Sequence, residues 1–176
     1  MLALIALLPK KAGSYRPIAI LASIYRVFML CLAGDLEEWD RTYAPNELDL
    51  VDTAAPGQRA ELQALLRQTR AEAGHWTSKS VLQLLWDLEA FYDSVEVEVL
   101  VHEARATNYP LRQLALALMM HTSARTVMIR KRASRTIVSP LRSILAGSLS
   151  SPRLARALTL RMHRSMQAKA APWKEQ

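Results

Sequence analysis

The sequence predicts an α+β fold, and three observations lead to that prediction. Of its 176 residues 51% are apolar and 22% are charged, a composition typical of a chain with a folded core. Segments with strand-like and helix-like apolar spacing follow one another without regular alternation. The sequence contains no internal repeat and no low-complexity tract. This order favours α+β over a regularly alternating α/β architecture.

The chain begins with a predicted strand, a turn and a helix. Leu2–Leu8 is a short apolar run and predicts a buried strand, and the basic stretch Pro9–Pro17 predicts a turn. Ala22–Trp39 has helical spacing. Its apolar face is predicted to contain Ile24, Val27, Phe28, Cys31, Leu32 and Leu36.

The composition of residues 43–57, with prolines and several acids, predicts a loop. A second amphipathic helix is predicted from Gln58 to about Ala73, and Gly74 is its predicted stop. Ser80–Leu88 follows as a predicted strand.

The C-terminal half continues with helices and a hairpin. Residues 110–122 predict a helix that opens with proline, and 126–140 predict a hairpin of two β-branched runs around a basic turn. The last helix is predicted to start at Ser151. On a helical wheel one face holds Leu154, Leu158, Met162 and Met166, and the opposite one holds Arg153, Arg156, Arg161 and Arg164.

The charge is distributed unevenly along the chain. Residues 1–120 hold 11 Lys and Arg against 15 Asp and Glu, whereas residues 121–176 hold 12 against Glu175 alone. This asymmetry predicts that the C-terminal third faces a polyanion, most often nucleic acid and less often an anionic membrane. A solvated basic surface is the simpler alternative.

Several classes of protein and site are disfavoured. Cys31 is the single cysteine, which excludes an internal disulfide, and the four histidines lack the spacing of a zinc site. The apolar run at residues 1–8 is short and has no basic residue ahead of it, so it does not predict a signal peptide. Arg26 interrupts the longer run at residues 18–34, which favours a buried helix over a membrane span. We expect no membrane contact and an intracellular location, with the nucleus as one option.

Asp87 closes the predicted strand Ser80–Leu88. A buried carboxylate is costly unless it is paired or binds a metal. Asp87 is therefore a candidate metal ligand. The alternative is that Asp87 caps the next helix and that Tyr92 lies in the core.

Three stretches, in this order, resemble reverse transcriptases of the non-LTR retrotransposon and group II intron type. Ala6–Phe28 is similar to the family's fingers strand, basic turn and "RPI" segment, and Trp86–Val95 to its first catalytic motif. Ile144–Leu154 is similar to the family's "PQGS" loop, although Leu145 and Ala146 replace the Pro-Gln pair. The missing glutamine puts template handling in doubt.

The resemblance implies a role for each residue of the first catalytic motif. Asp87 and the backbone carbonyl of Leu88 would bind Mg²⁺, a hard cation that prefers oxygen ligands. Tyr92 would lie under the incoming sugar and exclude a 2′-hydroxyl by its size. Asp93 would be structural.

The other two motifs imply contacts with nucleotide and template. Lys10, Lys11 and Arg16 would contact the triphosphate of the incoming nucleotide, unless they form only a solvated turn. Gly147 would allow close approach to the nascent base pair. The template would face Arg153, Arg156, Arg161 and Arg164. The alternative is an ordinary basic amphipathic helix.

The resemblance also implies a fold, namely a single partial domain with fingers-like residues 1–79 and palm-like residues 80–176. It predicts an incomplete antiparallel palm sheet packed on helices, without the thumb. It predicts a helix at Glu96–Thr107, where the apolar alternation alone would indicate a strand. An unpaired sheet edge would favour self-association.

The expected partners are an RNA template, a DNA primer and deoxynucleoside triphosphates. The family's second metal motif contains an Asp-Asp pair, but this sequence has no such pair and no aspartate after Asp93. Nucleotidyl transfer of this kind uses two metal ions. We therefore expect a truncated RNA-directed DNA polymerase segment that is inactive alone. The alternative is a non-catalytic basic module that binds nucleic acid.

Overall fold

The computed structural model describes residues 2–10, 13–43, 59–81, 88–129 and 132–170. The chain divides into two compact units. Unit 1 comprises Met1–Trp39 and Ala90–Arg161, and unit 2 comprises Asp40–Glu89 and Met162–Gln176.

Strands and helices are interspersed along the described residues. The strands are β1 (Leu2–Pro9), β2 (Tyr15–Ile20), β3 (Ala124–Ile129) and β4 (Arg132–Val138). The helices are α1 (Ser23–Cys31), α2 (Ala33–Thr42), α3 (Ala60–Trp76), α4 (Phe91–Ser94), α5 (Val97–Ala106), α6 (Leu111–His121) and α7 (Ser151–Ala170). The predicted mixture of α and β structure is confirmed.

The four strands form one mixed sheet in the order β2-β1-β3-β4. The central pair β1–β3 is parallel, and both outer pairs are antiparallel. The prediction of an antiparallel sheet is therefore wrong for this sheet. The physical reason is the long connection between β1 and β3, which returns the chain to the same end of the sheet through several helices and so permits parallel pairing.

Several predicted elements are confirmed. The first strand, the hairpin, the helix after Pro110 and the final helix all form. The helix α5 also forms where apolar alternation alone would indicate a strand. The predicted loop at 43–57 falls almost entirely outside the described residues. Most of the predicted strand Ser80–Leu88 does as well, and its described residues Ser80, Val81 and Leu88 are not in a strand.

Gly74 was predicted to stop α3, but the helix continues to Trp76. A Cβ on Gly74 would overlap the side chain of Val81. The backbone N–H of Lys79 donates to the Gly74 carbonyl oxygen (2.8 Å). Glycine at this position therefore allows the segment after the helix to fold back against it.

The helix predicted over Ala22–Trp39 is interrupted at Leu32 and presents a different face to the core. Tyr25, Met29, Leu36 and Trp39 are buried. The predicted apolar face is largely exposed: Ile24 (63%), Val27 (57%) and Phe28 (54%) are in contact with solvent, and Cys31 is exposed. The predicted face is confirmed at Leu36 but wrong at Ile24, Val27, Phe28 and Cys31. Tyr25 and Trp39 are buried instead, because their polar groups find hydrogen-bond partners inside unit 1, which makes their burial favourable.

The core of unit 1 lies among its helices. Leu100 and Ala104 of α5 are fully buried, as are Ala117 of α6 and Leu154 of α7. Full burial of a leucine side chain contributes about 1.5 to 3 kcal/mol. These contacts hold the helices on which the candidate site depends.

Candidate nucleotide and nucleic-acid site

The segment Ser143–Gly147 connects parts of all three motifs that carry the family resemblance. The backbone N–H of Ile144 donates to the carbonyl oxygen of Tyr92 (2.8 Å). At its other end, the carbonyl oxygen of Ala146 accepts a hydrogen bond from the backbone N–H of Ala19 (2.8 Å). Ala19 lies on β2, an outer strand of the sheet. The segment therefore bridges α4 and the edge of β2.

Gly147 lies against β2 in a conformation that favours glycine. Its φ is +96°, and a Cβ there would lie 3.1 Å from Cγ2 of Ile18 and 3.2 Å from the carbonyl oxygen of Ala19. A side chain would thus be disfavoured both by the backbone angle and by the closeness of the strand. The close approach that glycine allows in this structure is to β2.

A buried hydrogen-bond network lies around the Gly147 segment. His121 Nδ1 accepts from the backbone N–H of Leu145 (2.7 Å), and His121 Nε2 lies 3.0 Å from Ser150 Oγ. Ser150 Oγ is also 3.1 Å from Tyr25 Oη and 2.9 Å from Ser148 Oγ. Five polar groups are thus satisfied away from water, which favours one conformation of the segment.

The charge state of His121 follows from its surroundings. Because Nδ1 accepts a hydrogen bond, the proton of the neutral ring lies on Nε2, which then donates to Ser150 Oγ. Burial and, to a smaller extent, the positive charge of Arg125 lower the pKa of His121 from 6.5 to about 4. The ring is therefore neutral at pH 7.

Tyr92 and Asp93 belong to the short helix α4. Tyr92 is half-buried, and its ring meets that of Phe91 edge-on, with 5.7 Å between ring centres. Burial lowers the pKa of Arg125, and the carboxylate of Asp93 opposes that shift. Arg125 also donates through Nη2 to the His121 carbonyl oxygen (2.7 Å). The structural role of Asp93 stays a prediction.

The predicted triphosphate-binding residues lie at the β1–β2 turn. Lys10 and Arg16 are exposed, whereas Lys11 lies outside the described residues. The backbone N–H of Lys10 donates to the Ser14 carbonyl oxygen (2.8 Å), which closes the turn. Arg16 and Ile18 are alternate residues of one strand, so they lie on the same face about 7 Å apart. Ile18, in turn, lies against Gly147.

The predicted metal ligand Asp87 lies outside the described residues. Leu88 is described, is 52% exposed and belongs to neither a strand nor a helix. Within the described ranges, no group of three or more His, Cys, Asp or Glu side chains could hold a metal ion.

The arginines of α7 differ in their surroundings, and each has an interaction partner. Arg156 is only 8% exposed, and its guanidinium lies over the ring of Trp39 at 5.4 Å. Arg161 Nη1 is 3.1 Å from Glu103 Oε1, and Arg164 lies over Tyr43 at 4.7 Å. Arg153 is half-buried.

The helical wheel of α7 is therefore partly wrong. Arg156 shares the buried face with Leu154, Ala157 and Leu160, because its guanidinium is attracted to the face of the Trp39 ring. Met162 is 51% exposed although it was placed on the apolar face.

Sequence reasoning missed His121, Tyr25 and Ser150 as site-supporting residues. His121 lies on α6, Tyr25 on α1 and Ser150 next to α7, and they are separated by up to 125 positions in sequence. No spacing rule connects such positions. The only signal in the sequence is a histidine at the end of a predicted helix and a serine-rich loop.

Comparison with protein-family models, with curated proteins and with solved structures found no match to this chain. Among the described helices, none is both long and apolar enough to cross a membrane.

Proposed function

We propose that this chain is a segment of an RNA-directed DNA polymerase of the reverse-transcriptase type, without polymerase activity of its own. The observation that supports this proposal best is the bridging segment Ser143–Gly147. It joins the backbone of Tyr92 to the outer edge of β2, where Ala19 lies. Ala19, Tyr92 and the segment itself, one part of each of the three stretches, thus lie next to one another in unit 1, which supports a common nucleotide site.

The proposed roles follow the order of the motifs. Arg16, with Lys10 and Lys11, would contact the triphosphate, because guanidinium and ammonium groups suit phosphate oxygens. Tyr92 would contact the incoming sugar. Gly147 would keep the site open beside β2.

Asp87 and the Leu88 carbonyl would bind Mg²⁺, and the arginines of α7 would face the template. The proposed polymerase chemistry requires two metal ions held by more than one carboxylate. The sequence contains no Asp-Asp pair, and Asp93 interacts with Arg125. We therefore expect the chain to bind nucleic acid and Mg²⁺ but not to extend a primer.

The test compares Mg²⁺ binding by the unmodified chain, by Asp87→Ala and by Glu98→Gln. Glu98 is exposed on α5 and is a matched control for the loss of one carboxylate. Asp87→Ala should weaken Mg²⁺ binding about tenfold, equivalent to about 1.4 kcal/mol, whereas Glu98→Gln should leave it unchanged. Isothermal titration calorimetry measures both.

Two outcomes would contradict the proposal. If Asp87→Ala bound Mg²⁺ as well as the unmodified chain and kept its affinity for RNA, the non-catalytic binding module would be favoured. If the purified chain extended a DNA primer on an RNA template with Mg²⁺, the expectation of inactivity would be wrong.

A further inference from the structure

The exposed cations of unit 1 include a group outside the proposed nucleotide site. Arg132 and Arg135 lie on β4, and Arg142 follows that strand. All three are exposed, and none of their side chains has a hydrogen bond, ion pair or ring contact with another described residue. This contrasts with α7, where Arg156, Arg161 and Arg164 are each engaged within the chain. We call Arg132, Arg135 and Arg142 the hairpin arginines.

The strand that carries two of these arginines is open to solvent along its whole length. All seven residues of β4 are exposed. The strand is also the last one in the sheet order, so its outer edge pairs with no described strand. Backbone N–H groups on such an edge are free to donate to a ligand.

Arg135 lies in a bulge of β4. Thr126 pairs with Ile137 and Met128 pairs with Ala133, so three residues of β4 lie opposite Val127. The bulge is held by Thr126 Oγ1, which donates to the Ser134 carbonyl oxygen (2.9 Å), and by Ser134 Oγ, which accepts from the backbone N–H of Thr136 (3.0 Å). A bulge of this kind re-aims side chains and prevents edge-to-edge pairing with another strand.

No acidic residue offsets this charge nearby in sequence. Between Glu103 and Glu175 the chain contains no aspartate or glutamate. A second copy of the chain would therefore bring arginine against arginine at β4, which disfavours self-association through this edge. Guanidinium groups, serine and threonine hydroxyls and free backbone N–H groups together are the donors that contact nucleic-acid phosphates.

We propose that the hairpin arginines bind the phosphate backbone of nucleic acid without sequence preference. This inference does not depend on the polymerase proposal, since it needs neither Asp87 nor Gly147.

The test measures how affinity for a labelled oligo(U) RNA depends on salt, by fluorescence anisotropy. The variant Arg132→Gln/Arg135→Gln/Arg142→Gln should lower the slope of log affinity against log salt by about 2, since each lost phosphate contact removes about 0.7. Its affinity at low salt should fall at least tenfold. The variant with lysine at the same three positions should keep the slope, because the charge is retained.

The control is Arg26→Gln/Arg105→Gln/Arg112→Gln, which removes the same charge from exposed positions on α1, α5 and α6. It should leave the slope near that of the unmodified chain. Unchanged urea midpoints would show that all variants fold.

Three results would overturn the proposal. In the first, the hairpin variant keeps the full salt slope. In the second, hairpin and control variants lose affinity equally, which would assign binding to net charge. In the third, the unmodified chain binds phosphatidylserine vesicles but not oligo(U) RNA.

Discussion

The loop Ser143–Ser151 and the strand β4 are two polar regions of the same unit that differ in almost every physical respect. In the loop, Ser148, Ser150 and Ser151 are buried, and their hydroxyl groups have hydrogen-bond partners. In β4 every residue is exposed.

This difference separates polar side chains that stabilise the fold from polar side chains that can bind a ligand. Ser148 Oγ and Ser150 Oγ are within hydrogen-bond distance of each other, Ser150 Oγ also lies within that distance of Tyr25 and His121, and Ser151 Oγ donates to the Leu145 carbonyl oxygen, so these three hydroxyl groups fix a conformation. The arginines of β4 have no described partner, so their donors remain available to a ligand. The same contrast separates the buried Arg156 from the exposed Arg135.

The largest effect should come from the core that supports the loop. Leu154→Ala removes a fully buried side chain just after the loop, and we expect a loss of about 2 to 5 kcal/mol in the free energy of unfolding. Ile137→Ala on β4, where the side chain is 61% exposed, should change it by less than about 0.5 kcal/mol. Urea denaturation measures both, and similar losses would remove the distinction between the two regions.

The next effect concerns the dependence of stability on pH. The pKa of His121 is lowered to about 4 in the folded chain, from 6.5. Between these values the unfolded chain binds the extra proton, so protonation favours unfolding. The neutral ring contributes on the order of 3 kcal/mol to the free energy of unfolding. This contribution is complete above pH 6.5 and is lost as the pH falls to about 4.

The variant His121→Gln isolates this contribution from that of the carboxylates, because it removes only the titrating ring. Its unfolding free energy should fall less than that of the unmodified chain between pH 6.5 and 4. His102→Gln is the control, since the side chain of His102 is 73% exposed. Equal pH dependence in the unmodified chain and His121→Gln would contradict the buried, neutral state of His121.

The smallest effect distinguishes two glycines. Gly147→Ala should cost about 1 to 3 kcal/mol, because alanine is strained at a φ of +96° and its Cβ would lie close to β2. Gly34→Ala, in α2 with no atom within 4 Å of the new Cβ, should raise the unfolding free energy by about 0.4 to 1 kcal/mol. A neutral Gly147→Ala would show that the loop can move away from the strand.

Local patterns explain which parts of the fold could be predicted. The apolar run of β1, the proline before α6 and the serine at the start of α7 each act within one element, so they predict its existence well. The prediction that Gly74 ends α3 was wrong because this glycine instead leaves room for the side chain of Val81. Rules for helix ends do not include such a contact.

The faces of the helices were less predictable than their positions. The apolar residues of α1 predict one buried face, yet Tyr25 and Met29 are buried instead. A tyrosine can be buried at little cost when its hydroxyl has a partner, and here the partners are Ser148 and Ser150. Their positions more than 120 residues away cannot be inferred from the periodicity of α1.

Local sequence patterns predict most of the α and β elements, the concentration of positive charge in the last third and the motifs that lead to the polymerase proposal. These properties depend on residues close together in the chain. Only the tertiary structure shows that β1 pairs parallel to β3 and that the Gly147 segment bridges Tyr92 and β2. The same holds for the burial of Arg156 and the exposure of Arg135. Those outcomes depend on pairings between distant residues, which form only when the folded core satisfies the polar groups of both partners.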